Sequence, residues 1–349
     1  MLQARMSLRK KVTIREIAEV TNVSLSTVSR ALRGDPRANR ETAERVLQVA
    51  RDLNYYPDSL AKSLRQSKTN TIGIIFNDLN NPFYSEILGV IGATLNRGSY
   101  SMIISYSHYD AAQERANIMS MLSKRVDGII LSPINDQTEN VRLLEENGVE
   151  YVLIDCLPSS SGTSYVYSDH GVGARMAVEH LLSRGHRNIL LLTGPPSRCM
   201  HSAFIANYRR TLEENGIAVR PELIVHADDL SIESGYQTFK RLLAGSAESP
   251  NLEFTAVVTI SDLLALGIYK VANELKFRIP DDYSVVGYDN IEIAGVLSPP
   301  LTTIHQPRKR IGMESLRMLL NNIEHEEKER KSVAFPPHLV KRGSVRSIV

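Results

Sequence analysis

Two sets of side chains in this chain of 349 residues have the types and spacing to do chemistry. The first lies between Ser24 and Arg30, where Ser24, Ser26, Thr27, Ser29 and Arg30 surround Leu25 and Val28. Short hydroxyl side chains can contact phosphates or base edges, Arg30 can pair with guanine, and Leu25 can meet a thymine methyl. The second set stands where apolar runs end. Phe83 and Tyr84 follow TIGIIF, Asp155 ends YVLID, Arg198 follows LLLTGPP, Ser261 and Asp262 follow AVVTI, and Asp289 ends SVVGYD. Taken singly, each carboxylate reads as a helix cap or turn residue, and Asp262 in particular as the cap of the helix containing LLALGIYK. Convergence of several on one cleft would make them a ligand site.

No enzyme signature accompanies them. The sequence has no GxGxxG after its first strand, no GxxxxGK[ST] phosphate loop, no GxSxG elbow and no HExxH, and His180, His186 and His201 are scattered without partner spacing. Cys156 and Cys199 are far apart and lack metal-ligand spacing, so neither a disulfide scaffold nor a metal site is expected, and cysteine usage fits a reducing cytoplasm. No cofactor is expected. The N-terminal MLQARMSLRKK lacks the apolar stretch of a secretory signal, and no run of 18 apolar residues suggests a membrane span. A transport-type solute receptor would be exported, which argues against that reading.

Charge divides the chain more sharply than its net +2 implies. Residues 1–70 hold 14 Lys and Arg against 7 Asp and Glu, while the remainder holds 27 against 32. A basic head on a mildly acidic body points to a polyanion-binding module.

The elements that position the first set are three short helices. Thr13 precedes Glu16 by three residues, a capping-box spacing, and Ile14, Ile17, Ala18 and Val20 supply an apolar face for a helix over about 14–20. Thr21, Asn22 and Val23 make a tight turn, Ser24 caps a second helix running through Arg33, and Gly34 ends it. A third begins near Asn39, with Ala43, Val46, Leu47, Ala50 and Leu53 at helical intervals. This spacing predicts a helix-turn-helix, although other three-helix units share the pattern. In that motif the second helix enters the major groove and Val28 and Leu32 hold it to its neighbours.

From residue 71 apolar strands alternate with amphipathic helices. The strands read TIGIIF, SMIISY, DGIIL, YVLID, NILLLT, AVVTI and SVVGYD, and helices are predicted at about 83–98, 110–125, 136–148, 170–185, 201–216, 232–246 and 261–276. Ile-, Val- and Leu-rich strands separated by helices imply parallel sheets covered on both faces. So many strands imply two lobes, with a break near SDHGVG at 168–173, and ligands of such sheets bind beyond the carboxyl ends of the strands.

Three segments, VTIREIAEVTNVSLSTVSRALRG, RVLQVARDLNYYPDSLAKSLR and TIGIIFNDLNNPFYSEI, resemble the LacI/GalR (lactose-repressor) family of bacterial transcription regulators, and the resemblance covers essentially the whole chain. It implies an all-α helix-turn-helix head over 1–57, a hinge helix and linker over 58–70, and a periplasmic-binding-protein-like α/β core of two doubly wound parallel-sheet lobes over 71–349. The expected first lobe is about 71–168 plus 296–325, and the second about 169–295 plus 326–349. In the hinge, Ala61 and Leu64 match the residues that meet the minor groove, the leucine as an apolar wedge. Thr13, Arg33, Asn39, Thr42 and Tyr55 join Ser24, Leu25, Ser26, Thr27, Ser29 and Arg30 as the expected DNA-facing set.

The resemblance also assigns effector contacts to Phe83, Tyr84, Asp155, Arg198, Ser202, Phe204, Ser261 and Asp289. Two departures matter. Phe204 stands where most members carry arginine, so a bidentate guanidinium contact is lost there and a ring that stacks on a sugar or base is expected instead. Ser261-Asp262 replaces the Asn-Asp of sugar-binding members. The implied function is a DNA-binding regulator, a repressor in the first place, working as a cytoplasmic homodimer on a palindromic operator. A sugar, sugar derivative or nucleoside-like molecule held between the lobes would control it. No heptad-bearing helix follows LVKRGSVRSIV, so assembly into a tetramer through the tail is not expected.

Overall fold

The computed structural model describes residues 12–55, 68–134, 139–156, 162–195, 199–245, 253–325 and 330–349. The chain divides into two compact units, residues 1–69 and 70–349. The expected hinge residues Ala61 and Leu64, and the cleft candidate Arg198, lie outside the described residues.

The first unit contains α1 (Ile14–Thr21), α2 (Leu25–Leu32) and α3 (Arg40–Asp52). Each starts on the residue whose side chain can satisfy its free N–H groups. Thr13 Oγ1 accepts from Glu16 N at 3.4 Å while Thr13 N donates to the Glu16 carboxylate at 2.7 Å, a closed capping box. Ser24 Oγ accepts from Thr27 N at 3.2 Å, and Asn39 Oδ1 accepts from Thr42 N at 3.2 Å. Asn22, with φ of 50°, turns the chain between the first two helices. Ile17, Ala18, Val28, Ala31, Val46 and Ala50 form the buried core, with Leu32 and Tyr55 packed against it. The expected apolar face of α1 is too broad: Ile14 and Val20 are 37% and 62% exposed. A helix of eight residues presents one stripe to its neighbours, and Ile17, Ala18 and Thr21 occupy it. Leu47 is likewise exposed.

The second unit runs β1 (Thr71–Phe76), α4 (Pro82–Leu95), β2 (Ser101–Tyr106), α5 (Ala111–Ser123), β3 (Gly128–Leu131), α6 (Glu139–Glu146), β4 (Glu150–Ile154) and β5 (Tyr165–Ser168). It continues through α7 (His170–Leu182), β6 (Ile189–Thr193), α8 (Cys199–Glu214), β7 (Ile224–His226), α9 (Ile232–Ala244), β8 (Ala256–Thr259), α10 (Asp262–Leu275) and β9 (Ser284–Asp289). It closes with β10 (Thr302–His305), α11 (Arg308–Glu324), β11 (Ser332–Phe335) and β12 (His338–Val340). Two six-stranded sheets result, ordered β11-β5-β4-β3-β1-β2 and β12-β10-β9-β8-β6-β7. Every described strand pair is parallel except β10 with β12. Strands β3, β4, β6, β8 and β9 are buried along their whole length, as sheets covered by helices on both faces require.

The lobe boundaries differ from those expected. Thr302–His305 pairs with β9 in the second sheet, so the chain returns to the first lobe at Gln306–Pro307 instead of near residue 296. Helix α11 then packs on α4, β3 and β4 of the first lobe. Strand β11 pairs with β5 in the first sheet and β12 with β10 in the second, so the segment 326–349 is divided between lobes by another crossing at 336–337. Strands β5, β7, β10, β11 and β12 were not expected: they are only three or four residues long, and runs such as IVH and HLV carry no periodic signal.

Candidate functional site

On α2 the two faces separate by residue type. Val28 and Ala31 are buried, while Ser24, Leu25, Ser26 and Arg33 are exposed and Thr27, Ser29 and Arg30 half-buried. Ser24 Oγ lies 2.8 Å from both Ser26 Oγ and Thr27 Oγ1, which groups three hydroxyls at the helix N-terminus. That end carries the positive pole of the helix and suits a phosphate. Arg30 lies back along the helix, its Nε 3.4 Å from the Ser26 carbonyl, and its fork is available to an incoming acceptor. Leu25, 44% exposed, is the one large apolar side chain on this face. Thr13 and Asn39 are exposed but serve as caps, Thr42 is half-buried on α3, and Tyr55 leans on the core.

In the second unit the carboxyl ends of both sheets border one cleft. Its inner chamber, about 50 Å³, is lined by Asn77, Asn81, Phe83, Tyr84, Tyr109, Pro133, Ile134, Asp155, His170, His201, Leu230, Ile260, Ser261, Asp289 and Gln306. Tyr109, Ile134 and Leu230 also border an adjoining cavity of about 400 Å³ that adds Asp78, Asp228 and Asp229. Five of the expected effector residues, Phe83, Tyr84, Asp155, Ser261 and Asp289, therefore line one chamber.

Hydrogen bonds fix the chamber's polar groups. Asn81 caps α4 and so places Phe83 and Tyr84 in its first turn. The Tyr84 hydroxyl donates to Asp155 Oδ2 at 2.9 Å and meets Ser132 Oγ at 3.0 Å, and Asn77 Nδ2 donates to Ser132 Oγ at 3.0 Å. Burial, then the Asp155 charge, raises the Tyr84 phenol well above its ordinary value, so it remains a donor. On the facing wall Asp289 accepts from Ser261 Oγ at 3.1 Å and from Gln306 Nε2 at 2.7 Å. His170 Nε2 lies 3.4 Å from Asp155 Oδ1, and its ring stacks on Tyr288 at 5.1 Å. Both ring nitrogens of His170 and Gln306 Oε1 are buried without a hydrogen-bond partner among the described residues. The chamber thus offers carboxylate and amide acceptors, an imidazole and aromatic walls, an acceptor-rich set suited to a ligand with several hydroxyl or N–H groups.

Asp262 is not the cap of α10; Ser261 is. Asp262 is fully buried, accepts from Thr303 Oγ1 at 2.6 Å and from Ile291 N at 2.9 Å, and so ties α10 to β10 and to the loop after β9. Burial first, and the neighbouring Asp289 charge second, raise its carboxyl; burial likewise raises Asp289. Because both values exceed those of the unfolded chain, their stabilising contribution is complete at low pH and is lost as pH rises through the raised values. His180 and His305 act oppositely: burial lowers each to about 4, so their contribution is present above about 6.5 and lost as pH falls toward 4. Above about pH 6.5 these two histidines are neutral in both states, and of the four groups the two carboxyls still change. The melting temperature is expected to fall by several degrees between about pH 6.5 and pH 8.5, and Asp262→Asn to flatten that fall. A calorimetric pH series checks it, and an unchanged slope in the variant would contradict the assignment.

Two expected contacts are displaced. Phe204 is fully buried in the second lobe's core, edge-on to Tyr288 at 5.4 Å, and does not line the cleft. Ser202 is exposed and outside the lining. On α8 the buried stripe is His201, Phe204, Tyr208 and Leu212, and only its first member reaches the chamber. His201 Nδ1 lies 2.7 Å from the Pro195 carbonyl. His170, His201, Asn77, Asn81, Tyr109 and Gln306 were all missed. Glu114 was missed as a support: fully buried, it accepts from Ile134 N at 3.0 Å and Asn140 Nδ2 at 2.9 Å, fixing the loop that carries Ile134 into the chamber.

Comparison with known proteins is consistent along the chain. A model of bacterial regulatory proteins, lacI family, matches residues 13–58, and a periplasmic binding protein-like domain matches residues 178–345. The HTH-type transcriptional repressor PurR of Vibrio campbellii is 31% identical over 339 residues, spanning 96% of this chain and 99% of its own. The ribose operon repressor of Haemophilus influenzae is 30% identical over 336 residues, again 96% and 99%. Among solved structures, the Lac repressor dimer bound to operator and the anti-inducer ONPF has a TM-score of 0.83 at 29% identity, covering 97% of this chain and 100% of that one.

Proposed function

This chain belongs to the lacI family of bacterial regulatory proteins, and from that premise we propose that it represses transcription by binding a palindromic operator through α2 while a small molecule in the inter-lobe cleft sets its operator affinity. The observation that carries the DNA half is the two-sided character of α2: a buried Val28 and Ala31 seam opposite exposed Ser24, Leu25 and Ser26, with Arg30 beside them. Phosphates are met by the hydroxyl cluster and the helix N-terminus, and bases by Leu25, Ser26 and Arg30. Two copies of α2 address the two half-sites, so the working form is a homodimer acting in the cytoplasm.

In the core, Asp155 and Asp289 accept hydrogen bonds from a sugar, sugar derivative or nucleoside-like effector, and Phe83, Tyr84 and Tyr109 cover its apolar faces. The effector shifts operator affinity by the ratio of its affinities for the two lobe arrangements. Its action passes to the head through residues 58–70, where Ala61 and Leu64 meet the minor groove. No described helix is long and apolar enough to cross a membrane. No catalytic step is assigned to the cleft.

Arg30→Ala tests the DNA half. Specific operator affinity is expected to fall about 10- to 100-fold, as loss of a bidentate base contact does, while affinity for random DNA changes by only a few-fold at the same salt. Fluorescence anisotropy on both DNAs checks it, and an equal loss on both would make Arg30 a phosphate contact instead.

A further inference from the structure

We propose that Arg308 is the positioning residue that ties Asp289 to helix α4 in this lobe arrangement, so that a displacement of one cleft wall is transmitted to the other. This rests on reading the cleft as the effector site. Arg308 begins α11, immediately after the chain returns to the first lobe, and its side chain is 5% exposed. Its guanidinium reaches both lobes at once. Nε donates to Glu86 Oε2 on α4 at 2.6 Å, Nη1 donates to the Asp289 carbonyl, and Nη2 donates to the Asn290 carbonyl at 3.0 Å. Glu86 follows Phe83 and Tyr84 on α4 by one turn or less, so whatever displaces Asp289 pulls on the helix that carries the opposite aromatic wall.

The backbone held by the fork is one that requires holding. Asp289 and Asn290 have φ of 112° and 55°, conformations that residues with a side chain rarely adopt and that persist only where surrounding contacts over-determine them. Those contacts come from several elements. Gln306 and Ser261 hold the Asp289 carboxylate, Thr303 Oγ1 accepts from Asn290 N at 3.3 Å, and Arg342 Nη2 donates to Asn290 Oδ1 at 2.6 Å. Arg308 is the member of this group that also grips the first lobe. Three separate nitrogens of one planar fork meet three acceptors in two bodies, a spread that an ammonium, with its three donors on one atom, does not reproduce.

Hydrogen–deuterium exchange on the full-length protein, with neither DNA nor effector present, tests this. Glu86→Ala removes only the contact of Arg308 to α4. Its expected signature is exchange about tenfold faster not only around residues 82–88 but also in the peptide spanning 289–294, on the other lobe, where the Asn290 and Ile291 amides are hydrogen-bonded. Arg308→Lys keeps the charge and loses the fork, and it is expected to reproduce both changes. A Glu86→Ala protein with faster exchange confined to α4, or an Arg308→Lys protein that exchanges as the wild type does, overturns the proposal. Should Arg308→Lys fail to fold, Glu86→Ala decides alone, since its side chain is one-third exposed and dispensable for packing. Because neither ligand enters the measurement, its failure is distinct from failure of the regulatory reading, which operator binding tests.

Discussion

Val28→Asp is expected to unfold the head at 25 °C and to abolish operator binding while the 70–349 unit melts within about 2 °C of the wild type. Val28 is fully buried in a core whose buried members, among the described residues, number six. A unit this small buries little apolar surface and is stable by only a few kcal/mol. Placing a carboxylate at its centre removes the valine packing and buries a charge without a partner, together costing about 4 kcal/mol or more. The cost therefore exceeds the head's whole stability. Leu25→Asp on the same helix is the control: Leu25 is 44% exposed, so this change leaves the head folded and impairs DNA binding alone. Calorimetry and circular dichroism separate the two variants, and a Val28→Asp protein that still binds operator would refute the helix packing described above.

Gly267→Val is the second large effect, and it strikes the cleft from behind. Helices α9 and α10 cross so closely that a Cβ on Gly267 would stand 2.4 Å from Tyr236 N and 2.6 Å from Ile232 O. These are backbone atoms of a neighbouring helix and cannot rotate aside. Gly235 answers from the other side, its Cβ position 2.6 Å from Leu264 O. A branched side chain must force the helices apart, and overpacking of this kind costs about 1–3 kcal/mol for a methyl group and more for a valine. Helix α10 begins beside Ser261 and Asp262, so its displacement also disturbs the acceptors around Asp289. The expected result is a fall of several degrees in the core's melting temperature with the head's α2 surface unaffected. A wild-type melting temperature would mean that the helices do not cross as described.

Much of this was legible in the sequence because it was local. Caps at Thr13, Ser24 and Asn39 announce their helices through side chains that bond the nearby backbone, and long apolar strands announce parallel sheets. The carboxyl ends of those strands located Phe83, Tyr84, Asp155, Ser261 and Asp289. What escaped depended on tertiary pairing. Strand β10 looks like a loop until β9 lies beside it, so the lobe crossing was placed ten residues early. Gln306 and Arg308 matter because that crossing brings them against Asp289, and nothing in HQPRKR says so. Phe204 was misassigned although a signal existed: Phe204, Tyr208 and Leu212 recur every fourth residue, which marks a core stripe, and His201 lies at its cleft end. Asp262 sits in a sequence position suited to a cap, yet its burial against Thr303 and Ile291 gives it a different task.

Selection of genomic DNA fragments by the full-length protein, followed by titration of the enriched fragment against salt, separates an operator-specific regulator from a general DNA binder. One enriched motif with two-fold symmetry is expected. Binding to it is expected to be at least about 1000-fold tighter than to random DNA, with log affinity falling linearly with log salt. Arg30→Ala is expected to lose that preference. Enrichment of no motif, or equal affinity for enriched and random DNA at the same salt, would contradict operator-specific regulation.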